Sequence, residues 1–110
     1  MDAVQQISAQ DARKLLSGPL PPRLIDVREQ REWALARVEG AELLPLSQWP
    51  GIVGESLKDP EEALVLICHH GVRSASAASH LITLGFKRVF NLRGGIDAWT
   101  REVDPSVPLY

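Results

Sequence analysis

A short apolar segment, Ala63–Ile67, restricts the possible folds of this chain more than any other part of it. Its residues are all aliphatic and no polar residue interrupts them, a pattern that is typical of a strand buried on both faces of a parallel sheet. The segment Ser74–Ile82, rich in alanine and serine, predicts a helix that begins near Arg73. A buried strand that leads into a helix is the building unit of an α/β sheet.

The rest of the chain shows the same alternation of strand and helix patterns. Ser8 is expected to cap a first helix that ends near Ser17, before Gly18. The later strands are predicted at Leu24–Val27, Ala41–Leu44 and Arg88–Phe90. The later helices are predicted at Glu29–Arg37, at 48–53 with Ser47 as the cap, and after Gly95. In the helix at Glu29–Arg37 and just after it, Trp33, Ala34 and Val38 are expected to face inward. We therefore expect one α/β domain over residues 1–110, with a mostly parallel central sheet and helices on both faces.

Composition narrows the functional classes. The net charge of −2 provides no basic surface for nucleic acid. No apolar stretch approaches the roughly 18 residues that a membrane span needs, and residues 1–6 lack the basic start of a secretory signal. The only cysteine cannot form an internal disulfide, which fits a reducing compartment. We expect a cytoplasmic protein that binds neither nucleic acid nor membrane.

Cys68, that single cysteine, directly follows the apolar segment. At the carboxyl end of a parallel strand, the thiol would lie in the crevice where open α/β sheets bind their ligands. Backbone N–H groups and the helix dipole favour negative charge there, so we expect a thiolate that acts as a nucleophile. Gly71 supplies the conformational freedom that a tight loop between Cys68 and Arg73 requires.

The loop Cys68–Ala75 occurs together with the segments Leu24–Arg28 and Gly94–Trp99, and their order and spacing are those of a known family. Shorter matches are Gly40-Ala41 before Leu44-Pro45-Leu46, Leu84–Phe86 and Asn91-Leu92. In these residues the chain resembles the single-domain rhodaneses, which are sulfurtransferases. The resemblance implies a three-layer rhodanese-like domain in which Cys68 is the catalytic nucleophile and carries a persulfide. The implied chemistry requires no metal and no organic cofactor.

The implied substrates are a small anionic sulfur donor, such as thiosulfate, and an acceptor that is cyanide, a small thiol or another protein. The active-site loop that would hold donor and persulfide consists of His69, His70, Gly71, Val72, Arg73 and Ser74. For Arg73, two roles remain open. Its guanidinium attracts the donor at the rim of the site, or it pins the loop by bonding backbone carbonyls.

Asp26 and Arg28 are supporting candidates, because they lie at the carboxyl end of a neighbouring predicted strand. We favour a structural role, in which the two charges brace loops, over a catalytic one. A zinc site formed by Cys68, His69 and His70 is disfavoured, since three consecutive residues rarely close around one ion. Of the tryptophans, Trp99 is expected in the core, and Trp49 is a candidate to border a pocket.

Two other functions are compatible with the resemblance. A phosphatase or arsenate reductase of the same fold has five residues between cysteine and arginine, whereas four separate Cys68 from Arg73. A non-catalytic binding module is the second alternative, although such modules often lose the cysteine.

Two segments add further expectations. The segment Arg37–Glu39 stands where many rhodaneses carry a histidine before the Gly-Ala pair. The last segment, from Val103, is expected to be extended, and its packing stays open.

Overall fold

The computed structural model describes residues 3–110 and shows an α/β fold built on a five-stranded parallel sheet. The strands are β1 Gln5–Ile7, β2 Arg23–Asp26, β3 Glu42–Leu43, β4 Ala63–Ile67 and β5 Arg88–Leu92. The helices are α1 Ala9–Leu16, α2 Gln30–Leu35, α3 Gly51–Ser56, α4 Val72–Thr83 and α5 Gly95–Glu102. The strand order β1-β5-β4-β2-β3 places β4 at the centre of the sheet. The predicted fold class is confirmed.

Alternate side chains of β4 enter two separate hydrophobic cores. Leu64 and Leu66 pack on one face with residues of α3 and α4, and Val65 and Ile67 pack on the other with residues of α1 and α5. All four side chains are fully buried. Burial stabilises the fold by about 1.5–3 kcal/mol for each side chain of this size. Helices on both faces thus explain why the strand contains no polar residue.

The carboxyl ends of parallel strands lie at the same edge of a sheet, and the candidate site residues lie at this edge. Asp26, the last residue of β2, is in register with Ile67, the last residue of β4. Cys68 follows β4 directly, and β5 ends at Leu92 on the other side. The carboxyl edge therefore brings together three loops that are far apart in the sequence.

Several local predictions are confirmed. The Asp11 amide donates to the Ser8 hydroxyl at 3.1 Å, which caps α1 as expected. Trp99 is buried in the core. Gly95 begins α5, and the helix after Cys68 ends next to Gly85, whose φ is +101°.

Other local predictions are wrong. Ala34 is exposed instead of facing inward, and α2 buries Glu32 in its place. Ser47 caps no helix, because α3 begins four residues later, after Pro50, and the Ser47 hydroxyl donates to the Glu29 carboxylate. Strand β1 was missed, since its Gln-Gln-Ile sequence has no apolar alternation.

The segment after α5 turns back onto the domain. The Val107 amide donates to the Asp104 carbonyl at 3.2 Å, so a turn replaces the expected extended chain. Val107 is 7% exposed and joins the core beneath α1 and α5. None of the helices within residues 3–110 is long and apolar enough to span a membrane. The prediction about a secretory signal includes Met1 and Asp2, which lie outside the described residues.

Candidate active site

The Cys68 thiol is held by the loop that connects β4 to α4. The Gly71 amide donates to Sγ at 3.1 Å. Gly71 has a φ of +98°, and a Cβ at this position would lie 3.0 Å from the Gly94 amide nitrogen and 3.3 Å from the Leu92 carbonyl oxygen. Both the backbone conformation and the close packing therefore require glycine here. Cys68 itself is only 1% exposed, in contrast with the open crevice that its position predicts.

A second polar contact reaches the sulfur from α4. The Ser74 hydroxyl oxygen lies 3.3 Å from Sγ and 2.5 Å from Oδ1 of Asn91. A hydroxyl has one proton to donate, so the two acceptors compete for it. When the sulfur is a neutral thiol, it can donate to Ser74, which donates to Asn91. When the sulfur is an anion, the Ser74 hydroxyl can donate to it in addition to the Gly71 amide.

Asn91 was not predicted as part of the site. It is 2% exposed, and its amide nitrogen donates to the Gly71 carbonyl at 3.1 Å and to the Gln6 side chain at 2.9 Å. Asn91 therefore contacts both residues that approach the sulfur, Gly71 and Ser74. The available signal was a lone amide side chain within a strand that is otherwise largely apolar, because a buried amide needs hydrogen-bond partners.

The start of α5 fixes the first part of the loop. The amides of Ile96 and Asp97 donate to the carbonyls of Cys68 and His69 at 2.8 and 3.1 Å. A Cβ on Gly95 would collide with these same carbonyl groups. Gly95 thus allows α5 to pack closely against the cysteine loop.

Among the described residues, Arg73 donates to no backbone carbonyl of the loop, so the loop-pinning contact is not formed, while attraction of a donor stays a prediction. Its guanidinium forms two hydrogen bonds with the Glu32 carboxylate, at 2.7 and 2.8 Å. These bonds lower the pKa of Glu32 to about 2 against the opposing effect of burial. Glu32 likewise raises the pKa of Arg73. Arg73 thus connects α4 to α2, while 39% of its side chain remains exposed.

Asp26 and Arg28 form a buried ion pair beside this site. Arg28 is 0% and Asp26 1% exposed, and their closest atoms, Nη2 and Oδ2, are 2.7 Å apart. Arg28 also donates to the carbonyls of Ala36 and Glu32, at 2.6 and 3.3 Å. The pair therefore connects the end of β2 to α2 and has the contacts of a structural brace.

Tyr110 is a site neighbour that the sequence analysis missed. Its hydroxyl donates to the Glu32 carboxylate at 2.8 Å and accepts from Arg28 at 2.8 Å. Burial raises the pKa of Tyr110, so the hydroxyl remains a donor at neutral pH. Its ring is stacked on that of His69, with centroids 3.9 Å apart and planes within 7°. No local pattern marks a tyrosine after a proline-containing segment as part of a distant site.

One group of potential metal ligands comes together within the described residues. Ligand atoms of His69, His70 and Asp97 lie within 4.8 Å of one another. However, the two imidazoles are stacked at 3.9 Å, so their in-plane lone pairs run side by side. A metal bound by both histidines needs lone pairs that converge on one point. Asp97 also accepts a hydrogen bond from Arg101 at 3.0 Å, so this arrangement offers no preformed metal site.

Trp49 borders an apolar groove that is partly formed by α4, as the sequence analysis expected of a pocket-lining tryptophan. The groove has a volume of about 320 Å³ and is lined by Leu46, Trp49, Pro50, Ser76, Ala77 and His80. The Trp49 indole donates to the Leu44 carbonyl at 2.9 Å, which fixes the ring at the groove's edge.

Comparisons with known proteins show that the chain is similar to rhodanese-like proteins. The model of the rhodanese-like domain matches residues 8–102. The chain is 35% identical over 115 residues to rhodanese-like/PpiC domain-containing protein 12, chloroplastic, of Arabidopsis thaliana, and the match covers 99% of this chain and 38% of that protein. It is 34% identical over 87 residues to the thiosulfate sulfurtransferase GlpE of Actinobacillus pleuropneumoniae serotype 3, covering 79% of each chain.

A solved structure shows the same fold. The rhodanese-like domain protein from Staphylococcus aureus superposes with a TM-score of 0.81 at 25% identity, and the match covers 97% of this chain and 99% of that chain. The chain therefore matches that protein over nearly its whole length, but it spans less than two fifths of the Arabidopsis relative.

Proposed function

Because the chain belongs to the rhodanese-like domain family, we propose that it is a sulfurtransferase that carries sulfur as a persulfide on Cys68. The observation that carries the proposal is the environment of the sulfur. The Gly71 amide and the Ser74 hydroxyl lie within 3.3 Å of Sγ, at the carboxyl edge of a parallel sheet. Hydrogen-bond donors in this position stabilise an anionic sulfur.

In the first step, the Cys68 thiolate attacks the outer sulfur of a donor such as thiosulfate. A new S–S bond forms to Cys68 while the S–S bond of thiosulfate breaks, and its electron pair leaves with sulfite. The reaction is the analogue of thiol–disulfide exchange, so its rate depends on the thiolate fraction and on the leaving group. The terminal sulfur of the persulfide then carries the negative charge that the thiolate carried before.

In the second step, an acceptor takes the terminal sulfur. Cyanide attacks that atom, the persulfide bond breaks, and thiocyanate leaves while the Cys68 thiolate is restored. A small thiol or the thiol of an acceptor protein attacks in the same way and becomes a persulfide. A reducing compartment such as the cytoplasm would keep the Cys68 thiol available for each cycle.

The loop supports this chemistry over phosphate hydrolysis. A phosphatase needs a cation directed at the tetrahedral anion, and both outer nitrogens of Arg73 are engaged by Glu32. The four-residue spacing between Cys68 and Arg73 also makes a smaller loop than that of phosphatases with this fold. A pure binding module would not require two polar contacts to a buried thiol.

The proposal is tested by thiocyanate formation from thiosulfate and cyanide. Cys68→Ser replaces the nucleophile with a nearly isosteric hydroxyl, and we expect it to abolish turnover while the thermal unfolding curve stays close to that of the native protein. Ser79→Ala, on the exposed face of the same helix, is the matched control and should turn over like the native protein. Turnover by Cys68→Ser, or none by the native protein with any sulfane-sulfur donor, would refute the proposal.

A further inference from the structure

The segment 103–110 carries Tyr110 from the core to the cysteine loop. Val107 anchors this segment in the hydrophobic core at 7% exposure, and Asp104 closes the turn that precedes it. The Arg13 guanidinium donates to the Val103 carbonyl at 3.3 Å, which ties the same segment to α1. Tyr110 itself is 37% exposed, so it can move away without opening the core.

Tyr110 contacts the start of the loop that surrounds the thiol directly and is connected to its end through Glu32. On one side its ring stacks on His69, the residue that follows Cys68. On the other side its hydroxyl binds Glu32, whose carboxylate holds Arg73 at the far end of the loop. The phenol therefore spans the mouth of the loop from its first residue to the partner of its last.

The exposure of the thiol agrees with this placement. Cys68 is 1% exposed although it lies at the sheet edge where ligands of this fold class bind. The loop residues His70 and Val72 are exposed, so the loop as a whole is not buried under the rest of the protein. On its inner side Cys68 packs in the core with residues of α3 and α4, and on its outer side the Gly71 amide and the Ser74 hydroxyl contact the sulfur.

We propose that Tyr110 is a positioning residue that closes the mouth of the Cys68 loop and thereby limits the size of the molecules that reach the thiol. This inference deepens the proposed function, on which it rests for its biological meaning. A small donor such as thiosulfate reaches the thiol through small movements of the loop, whereas a bulky persulfide, including that of a protein, needs Tyr110 to swing away. Tyr110 then separates small-molecule donors from protein donors.

The test uses the full chain and two thiol reagents of different size. Because Cys68 is the only cysteine, alkylation reports on this site alone. Iodoacetamide is the small reagent and fluorescein maleimide the bulky one. The measured quantity is the rate constant for fluorescein maleimide divided by the rate constant for iodoacetamide. Taking this ratio cancels any change in the intrinsic reactivity of the sulfur.

We expect Tyr110→Ala to raise this ratio by about tenfold, because loss of the hydrogen bonds and the stacking makes local opening more frequent. Tyr110→Phe keeps the ring on His69 and loses only the hydroxyl, so its ratio should lie between those of the native protein and Tyr110→Ala. Leu109→Ala, at the half-exposed neighbouring residue, is the matched control and should leave the ratio unchanged.

An unchanged ratio in Tyr110→Ala, or an equal increase in Leu109→Ala, would overturn the inference. A merely structural role would change both rate constants alike and leave their ratio as it is. Alkylation requires no sulfur transfer, so the ratio can change as expected even if the native protein forms no thiocyanate. That combination would contradict the proposed function and uphold the role of Tyr110 at the mouth of the loop.

Discussion

The buried ion pair between Asp26 and Arg28 gives a quantitative prediction. Asp26→Asn removes the negative charge at almost constant volume and leaves the guanidinium of Arg28 at 0% exposure without a counter-ion. Arg28 loses three charge-assisted contacts to the carboxylate, at 2.7 to 3.1 Å. Removing one partner of a buried pair lowers the free energy of unfolding by about 3–5 kcal/mol, because the other charge stays buried without compensation. Replacing both partners with apolar residues costs much less.

The assay is equilibrium unfolding in urea at neutral pH. Domains of this size have a free energy of unfolding of about 5–15 kcal/mol, so the substitution removes a large part of it. With an m-value near 1.5 kcal/mol/M, within the usual range, the midpoint should fall by about 2–3 M.

The matched control is the exposed pair between Lys87 and Glu61, whose nearest atoms lie 3.1 Å apart and whose side chains are 57% and 59% exposed. Glu61→Gln should cost about 0–1 kcal/mol, because solvent screens the charges. If Asp26→Asn lowers the stability by no more than the control does, the buried charge is not the brace that its contacts indicate, and the structural interpretation of the pair is wrong.

Two further changes test the loop itself. Since the pKa of Glu32 is lowered to about 2 from its ordinary 4.5, its ion pair with Arg73 should stabilise the native protein fully above pH 4.5 and lose this effect as the pH falls towards 2. The difference in unfolding free energy between the native protein and Glu32→Gln should therefore shrink over that window, and a pH-independent difference would contradict the pairing. Gly71→Ala forces a Cβ into a left-handed conformation against Gly94, so it should cost about 1–3 kcal/mol of stability and reduce alkylation and turnover. A native-like unfolding curve with native-like turnover would show that the loop does not need its glycine.

The central part of the fold could be predicted from local sequence. An unbroken aliphatic run has few alternatives to a buried strand, so β4 and the helices around it followed from Ala63–Ile67 and from the caps. Ser8 was identifiable as a cap because the signal lies within three residues of it. Strand β1 was not identifiable, because a short edge strand with two glutamines is stabilised by its pairing with β5 and not by its own pattern.

The residues of the candidate site also fall into those that local sequence identifies and those that it does not. Cys68 and its loop are contiguous, so their residues could be named before any coordinates were known. The other two contributors come from distant segments. Glu32 lies 41 residues before its partner Arg73, and Tyr110 lies 78 residues after its partner Glu32. Their importance comes from tertiary contacts, and a single sequence contains no local signal for such contacts.

The chemical state of Cys68 after exposure to thiosulfate decides whether this residue carries sulfur. The protein is reduced, freed of reductant, incubated with thiosulfate and analysed by intact mass and by mapping of the peptide that contains Cys68. We predict a gain of one sulfur atom on that peptide, which is lost when cyanide is added and is absent from Cys68→Ser. A native protein whose mass does not change with thiosulfate or polysulfide, although its thiol is still alkylated by iodoacetamide, would contradict persulfide formation at Cys68.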